Sequence, residues 1–411
     1  MNSRKLKVAI IGLGGRSEAH LAGTKAAGGT VLSSICDKSQ ERISWALEIC
    51  AKYKIRKPKV FTDHREILAD PSIDAVIVST MWNAHIPVAL DAMNAGKYVG
   101  IEVGGATSIE QLWELVRTSE RTGIPCMMLE NCCYDRNEMM VLNMVRQGIF
   151  GEIVHCECGY EHNLSGMAGS VERRRERILH NLRRNGDLYP THGVGPMAKI
   201  LNINRGNRFL ALTSTASKAR GFAAWEEKHG KTPQGKGKPR CYNAGDVVTT
   251  VIKCANGETL LVRHCVSLPR PYSRNGMVQG TRGLWSETHG AIFIEDETKK
   301  SETWSPVKDF YEKYDHPLWK QYMGDSSIGH GNMDVMVLQA FFDAVRNRSQ
   351  TPIDVYDTAT WMAVTCLSED SIAMGSAPVP FPDFTNGMWI DRDPERPSLF
   401  ALSDVYEDSQ C

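Results

Sequence analysis

From Lys7 to about Leu129 the chain alternates short apolar runs with helical patterns, and nothing else in the sequence constrains the fold as much. The runs are VAIIG, VLSSICD, DAVIVST, YVGIEV and PCMMLE, separated by segments such as SIEQLWELVRTSERTG. Apolar runs of strand length alternating with helices of ~10 to 15 residues predict βαβ units on a parallel sheet. Residues 1–130 are therefore expected to form a doubly wound α/β domain.

After Asn131 the pattern changes. A helix, NEMMVLNMVRQG, leads into alternating strand patterns near Glu152–His162, Phe209–Ser217, Asp246–Cys254, Thr259–Ser267 and Ala291–Glu295. Such alternation predicts a mostly antiparallel sheet. Two late helices, around Met333–Arg348 and Val355–Gly375, are expected to pack back on it. At 411 residues the chain is long for one domain, so residues 131–411 are taken as a second, α+β, substrate-binding domain.

Composition narrows the partners. Forty-eight basic residues balance forty-eight acidic ones, so there is no overall charge footprint of a nucleic-acid or anionic-membrane binder. No apolar run approaches the ~18 to 20 residues of a membrane span. VAIIGLGG reads as a first strand rather than a signal segment, and the expectation is a cytoplasmic protein unless a leader has been removed. Among the twelve cysteines, Cys132-Cys133 and Cys156-x-Cys158 lack metal or redox spacing. Cys156 and Cys158 fall on one strand face and read as buried thiols; no metal is assigned. His229–Arg240, rich in Gly, Pro and Lys, predicts a surface loop. Val171–Arg184, with six Arg against two Glu, predicts either a solvated or subunit-facing helix or a cationic wall facing an anionic substrate group.

The first strand runs into GLGGRS, where Gly12 and Gly14 supply the G-x-G of the dinucleotide fingerprint before a predicted helix. The first glycine makes the tight turn, and the second lets a pyrophosphate approach the helix N-terminus. Ser17 stands where the pattern has a third glycine. Asp37 closes the second strand; a carboxylate there accepts from both ribose hydroxyls and repels a 2′-phosphate, favouring NAD over NADP. Its alternative reading is a helix N-cap.

With these features the chain resembles the oxidoreductase superfamily typified by glucose–fructose oxidoreductase and inositol dehydrogenase, along nearly its whole length. That resemblance implies a large open sheet in the second domain and a homo-oligomer, dimer or tetramer. In that superfamily the fifth strand usually ends in E-K-P, and a later segment supplies Asp and His four residues apart. Here the first slot reads Glu102-Val103-Gly104, and in NGDLYPTHGVGP Leu188 stands four residues before His192. Two of the three usual proton-handling residues are thus missing, and Asp187 replaces one only if the register shifts by one.

A narrower resemblance explains the losses. MMLENCCYDRNEMMVLNMVRQGIFGEIVHCECGYEHNL, NGDLYPTHGVGPMAKILNINRGNRFLALTSTASKARG and HPLWKQYMGDSSIGHGNMDVMVLQAF are similar to glycoside hydrolase family 109, NAD-dependent glycosidases that act on α-N-acetylgalactosaminides. Most glycosidases use two carboxylates; NAD-dependent hydrolysis is a recognised exception. The resemblance implies hydride loss from the sugar's C3, removal of the acidified C2 proton, departure of the C1 group, addition of water and return of the hydride. It carries the catalytic positions onto Glu130, Tyr160, Tyr189 and His192. Tyr189 and His192 are expected at the C3 hydroxyl, Tyr160 at C2, and Glu130 orienting a hydroxyl or the leaving group. It assigns the cofactor to Gly12, Gly14, Gly15, Arg16, Ser17, Asp37, Thr80, Trp82, His85, Glu102, Val103 and Asn131. The partner is then a small-molecule glycoside. The stretch between Tyr160 and Tyr189 is shorter and richer in arginine than the family's usual one, which leaves a charged sugar open. Pro and Gly in YPTHG predict a tight connection at a sheet edge. Two other readings stand beside this one: an NAD-linked sugar or polyol dehydrogenase or epimerase, and a non-catalytic dinucleotide-binding relative.

Overall fold

The computed structural model describes residues 4–403 apart from 105, 170–174, 232–237, 296, 299–301, 323–331 and 393–394. Strands β1 (Leu6–Ile11), β2 (Thr30–Cys36), β3 (Lys59–Phe61), β4 (Ala75–Val78), β5 (Tyr98–Ile101) and β6 (Cys126–Met128) alternate with helices α1 (Ser17–Ala26), α2 (Gln40–Lys52), α3 (His64–Leu68), α4 (Trp82–Asn94) and α5 (Ile109–Thr122). All strand pairs are parallel, in the order β3-β2-β1-β4-β5-β6. Every residue of β4 is buried, because helices cover both faces of the sheet and leave no polar side to alternate with. The order reverses between β1 and β4, and the crevice at their C-terminal ends is where such sheets take ligands.

Helix α6 (Arg136–Arg146) leads to β7 (Ile153–Glu161), followed by α7 (Arg175–Arg183), α8 (Thr191–Ile200), β8 (Phe209–Ala216), α9 (Gly221–His229), β9 (Val248–Cys254) and β10 (Thr259–Cys265). Short strands β11 (Met277–Gly280), β12 (Gly283–Ser286), β13 (Ala291–Ile294) and β14 (Ser305–Pro306) extend the sheet. Helices α10 (Tyr311–Tyr314), α11 (Pro317–Tyr322), α12 (Met333–Asn347) and α13 (Val355–Ala373) and strand β15 (Val379–Pro380) follow. The nine-stranded order is β14-β13-β12-β11-β7-β10-β9-β8-β15. It is antiparallel except where β7 pairs with β10, as the mostly antiparallel reading expected. Among the described residues no helix is long and apolar enough to cross a membrane.

The late helices divide their packing. α13 lies across β8, where Ser214 N–H donates to Ser371 Oγ at 2.8 Å. α12 lies along α1 of the parallel half rather than on the nine-stranded sheet. YPTHG opens a helix instead of forming a tight connection. Thr191–Ile200 is helical despite Gly193, Gly195 and Pro196, because the helix needs small residues to press onto β7: a Cβ on Gly193 would lie 2.6 Å from the Gly159 nitrogen and 2.9 Å from Cys158 Cβ. Half of the stretch expected as a surface loop, 229–240, lies outside the described residues, at 232–237.

Candidate active site

β1 ends at Gly12, held at φ +90°. A Cβ there would sit 2.5 Å from the Ser79 carbonyl oxygen, so only glycine makes this turn. Gly14 and Gly15 have no neighbour nearer than 3.8 Å on the side a Cβ would occupy, which leaves an open cradle at the N-terminus of α1. Backbone N–H groups and the helix dipole favour a phosphate there. Ser17, in place of the third glycine, is fully buried and donates its hydroxyl to the Gly14 carbonyl at 2.6 Å. Asp37 does not cap α2; Ser39 does. Instead the Asp37 carboxylate accepts from Leu13 N–H at 2.8 Å and Ser39 N–H at 2.9 Å, fixing the glycine turn from the end of β2. An open glycine cradle with a half-exposed carboxylate at its edge fits an NAD pyrophosphate and ribose.

Glu102, at the end of β5, is buried beside cations. Its Oε1 lies 3.2 Å from both Arg16 Nε and His20 Nε2, and its Oε2 accepts from Val103 N–H at 3.0 Å. Burial works to raise its pKa, but His20, Arg16 and His85 overcome that and hold the carboxyl down at about 2. Val103 is 4% exposed and packs in the apolar core. The slot that carries lysine in the wider superfamily is spent here on packing. Gly104 follows because the Trp82 indole presses on it, 2.5 Å from where a Cβ would stand. His85 Nε2 meets the Thr80 carbonyl at 2.9 Å, and burial, against the pull of Glu102, moves its pKa down. Asn131 opens the 3-10 turn after β6 and donates to Asp334 at 2.8 Å.

The catalytic positions carried over from the resemblance converge. Glu130 is completely buried; its Oε1 accepts from Cys132 N–H at 3.1 Å and meets His192 Nδ1 at 2.6 Å. Burial pushes the Glu130 carboxyl up, yet the His192 ring, Thr191 and the Cys132 N–H bring it below its ordinary value. Glu130 thus touches the histidine rather than an open pocket. The Tyr160 ring packs at 4.6 Å from Tyr189 and 5.5 Å from His192, and Tyr189 stands edge-on to His192 at 5.0 Å. Tyr189 in turn stacks on Trp82 at 5.7 Å, which joins the sugar-side residues to the cofactor crevice. Burial raises the Tyr189 phenol well above its usual range, so it stays protonated. Asp187 stands in the wall: its Oδ1 accepts from Tyr189 N–H at 3.1 Å, and burial lifts its pKa to about 7. Glu130, Cys132 and His192 offer three donor atoms within 4.8 Å of one another. The closest pair is already a hydrogen bond, and burial raises the Cys132 thiol.

Three residues that the sequence reading passed over complete the pocket. Arg177 on α7 lies 4.6 Å over the Tyr189 ring and 5.3 Å over Trp82. It falls in the segment read as a solvated helix or cationic wall; the structure turns it inward, while residues 171–174 lie outside the described residues. Tyr272 is 47% exposed at the mouth, edge-on to His162 at 5.2 Å and Tyr160 at 6.2 Å. His162 Nδ1 lies 3.2 Å from the Tyr160 hydroxyl. Its place two residues after Tyr160 was a legible signal, because strand residues i and i+2 share a face.

Residues 134–391 match the model of the C-terminal domain of glycosyl hydrolase 109, and residues 6–129 match the NAD-binding Rossmann fold of the oxidoreductase family. The chain belongs to glycoside hydrolase family 109. This family 109 protein is an NAD-dependent glycosidase. It is 42% identical to an α-N-acetylgalactosaminidase of Tannerella forsythia over 97% of this chain and 89% of that one. A protein of the same name from Shewanella oneidensis is 40% identical over 95% of this chain and 87% of that one. Among solved structures, levoglucosan dehydrogenase in complex with NADH and L-sorbose superposes with a TM-score of 0.71 at 20% identity, covering 92% of this chain and 100% of that one. That likeness concerns the fold, and the family 109 chain shares it in both halves.

Proposed function

We propose that residues 1–130 hold NAD and residues 131–411 hold the glycoside, and that the enzyme hydrolyses an α-N-acetylgalactosaminide or a related sugar through transient oxidation at C3. The printed activities of the relatives support the sugar. The observation that carries the mechanism is the Glu130–His192 contact of 2.6 Å, walled by Tyr160 and Tyr189 in a site whose lysine slot is a buried valine.

Bound NAD supplies a reversible hydride acceptor at C3. Tyr189 and His192 hold and move the proton of the C3 hydroxyl, and Glu130 acts through His192 by fixing the ring's tautomer and direction. Oxidation at C3 makes the C2 hydrogen acidic. Tyr160, entering the step as the phenolate, takes it at the phenolic oxygen; the C1 substituent leaves and is protonated by the incoming water, whose hydroxyl adds at C1, and the proton on Tyr160 returns to C2. The products are the sugar and the free leaving group, with no net oxidation.

A homo-oligomer in a reducing compartment is part of the same proposal. Ser214 and its neighbour Thr250 turn toward α13, whereas Val251 stands 46% exposed on the opposite face of the sheet. The eleven described cysteines are all free.

The test incubates the protein and NAD with α- and β-linked nitrophenyl sugars, N-acetylgalactosamine and charged ones included, and follows nitrophenol and NADH together. Nitrophenol without net NADH supports the proposal and names the sugar. NADH accumulating while the sugar stays linked overturns it in favour of a dehydrogenase.

A further inference from the structure

Arg16 leaves the glycine turn and reaches two carboxylates. Its Nε lies 3.2 Å from Glu102; its terminal nitrogens bond both oxygens of Asp334, Nη1 to Oδ2 at 3.0 Å and Nη2 to Oδ1. Asp334 Oδ1 also accepts from Asn131 Nδ2 at 2.8 Å. Asp334 is 3% exposed and stands in the first turn of α12. One carboxylate from the far half of the chain therefore ties together the ends of β1, through Arg16, of β5, through Arg16 and Glu102, and of β6, through Asn131. These strand ends form the crevice for the dinucleotide.

The packing shows how Asp334 gets there. A Cβ on Gly23 of α1 would lie 2.6 Å from Leu338 Cδ1 and 3.8 Å from the Asp334 carbonyl oxygen, so α12 rests directly on the helix that begins at the cradle. At the other end Arg346 donates to the Gly28 carbonyl, just past α1, at 2.8 Å. The two helices run in the same direction and are pinned at both ends. Arg16 is held on two sides by acids, and removing one partner of a buried ion pair leaves the other unpaired, which is far costlier than losing a surface pair.

We propose that Asp334 is a positioning residue for the cofactor: by fixing Arg16 and Asn131 it keeps NAD in place between hydride removal and hydride return. This rests on the redox-neutral reading above, since only a cycle that returns the same hydride needs such retention. Asp334→Asn keeps the shape and removes the charge. NADH dissociation is measured by stopped-flow displacement in the absence of any sugar, where glycosidase chemistry plays no part. The expected result is a rate at least 10-fold faster than wild type, with Asp334→Glu intermediate at 3-fold or more. Leu260→Ala, which loosens the core of the nine-stranded sheet, is expected to keep the wild-type rate.

A wild-type rate in Asp334→Asn overturns the proposal, as does an equal rise in Leu260→Ala. If Asp334→Asn does not fold, Asp334→Glu decides, and a wild-type rate there overturns it equally. Faster release by Asp334→Asn in a protein that hydrolyses no sugar would leave the positioning role standing and bring down the glycosidase reading alone.

Discussion

His192 has one ring nitrogen committed to Glu130, and that commitment leaves the other for substrate. Replacing His192 by Ala or Tyr160 by Phe should lower kcat at least ~100-fold, the scale of a lost general acid or base. Glu130→Gln should lower kcat with little change in KM, because Glu130 reaches the sugar only through His192; steady-state kinetics on the nitrophenyl substrate checks all three. Glu102 makes a pH prediction. Its carboxyl falls from an ordinary 4.5 to about 2, so the fold favours the ionised form. The resulting stability, on the order of 3 kcal/mol, is fully present above pH 4.5 and is lost as pH falls toward about 2. Wild type should therefore exceed Glu102→Gln in denaturant stability at pH 7, and the gap should shrink steadily in melts taken below pH 4.5. At this scale the sequence was informative where motif and chemistry coincide: Glu130, Tyr160, Tyr189 and His192 do meet. Arg177 escaped because its segment reads equally well as surface, Tyr272 because no motif marks it, and Asp334 because no spacing reports a contact between Arg16 and a residue 318 positions later.

α8 shows how an element can be misread from its punctuation. Proline and glycine normally mark turns, yet in THGVGPMAKI they serve a helix that must lie against β7 with almost no side chain between them. Tertiary packing outweighs propensity at such a surface. Gly193→Ala places a methyl group 2.6 Å from the Gly159 nitrogen, so the helix must retreat and carry His192 with it. Overpacking of this kind costs ~1 to 3 kcal/mol. The expected outcome is a fall of that size in urea unfolding together with lost activity. The parallel half was easier to read, since strand and helix periods alternate there and both faces of the sheet are covered; only the three-residue edge strand β3 went unread. In the other half β11 (MVQG) and β12 (GLWS) carry too few β-branched residues to announce themselves, where the equally short β13 (AIFI) did.

The two halves read from the sequence are not packed independently. Leu338 and Phe341 of α12 close over Gly23 and Gly100 of the parallel half, so that half takes part of its cover from the other. A fragment of residues 1–130 should therefore expose apolar surface, bind an apolar fluorescent dye that the whole chain does not, and hold NAD at least ~10-fold more weakly by calorimetry. The same architecture sets an order of events during synthesis. Arg16 and Asp334 are 318 residues apart, and a ribosome adding ~5 to 20 residues per second needs on the order of 15 to 60 s to cover that distance. The parallel sheet and its glycine turn can form early in that interval. The acid that braces them has not yet been made, and a newborn chain that meets NAD before α12 emerges meets a site still without its clasp; firm loading of the coenzyme waits for α12.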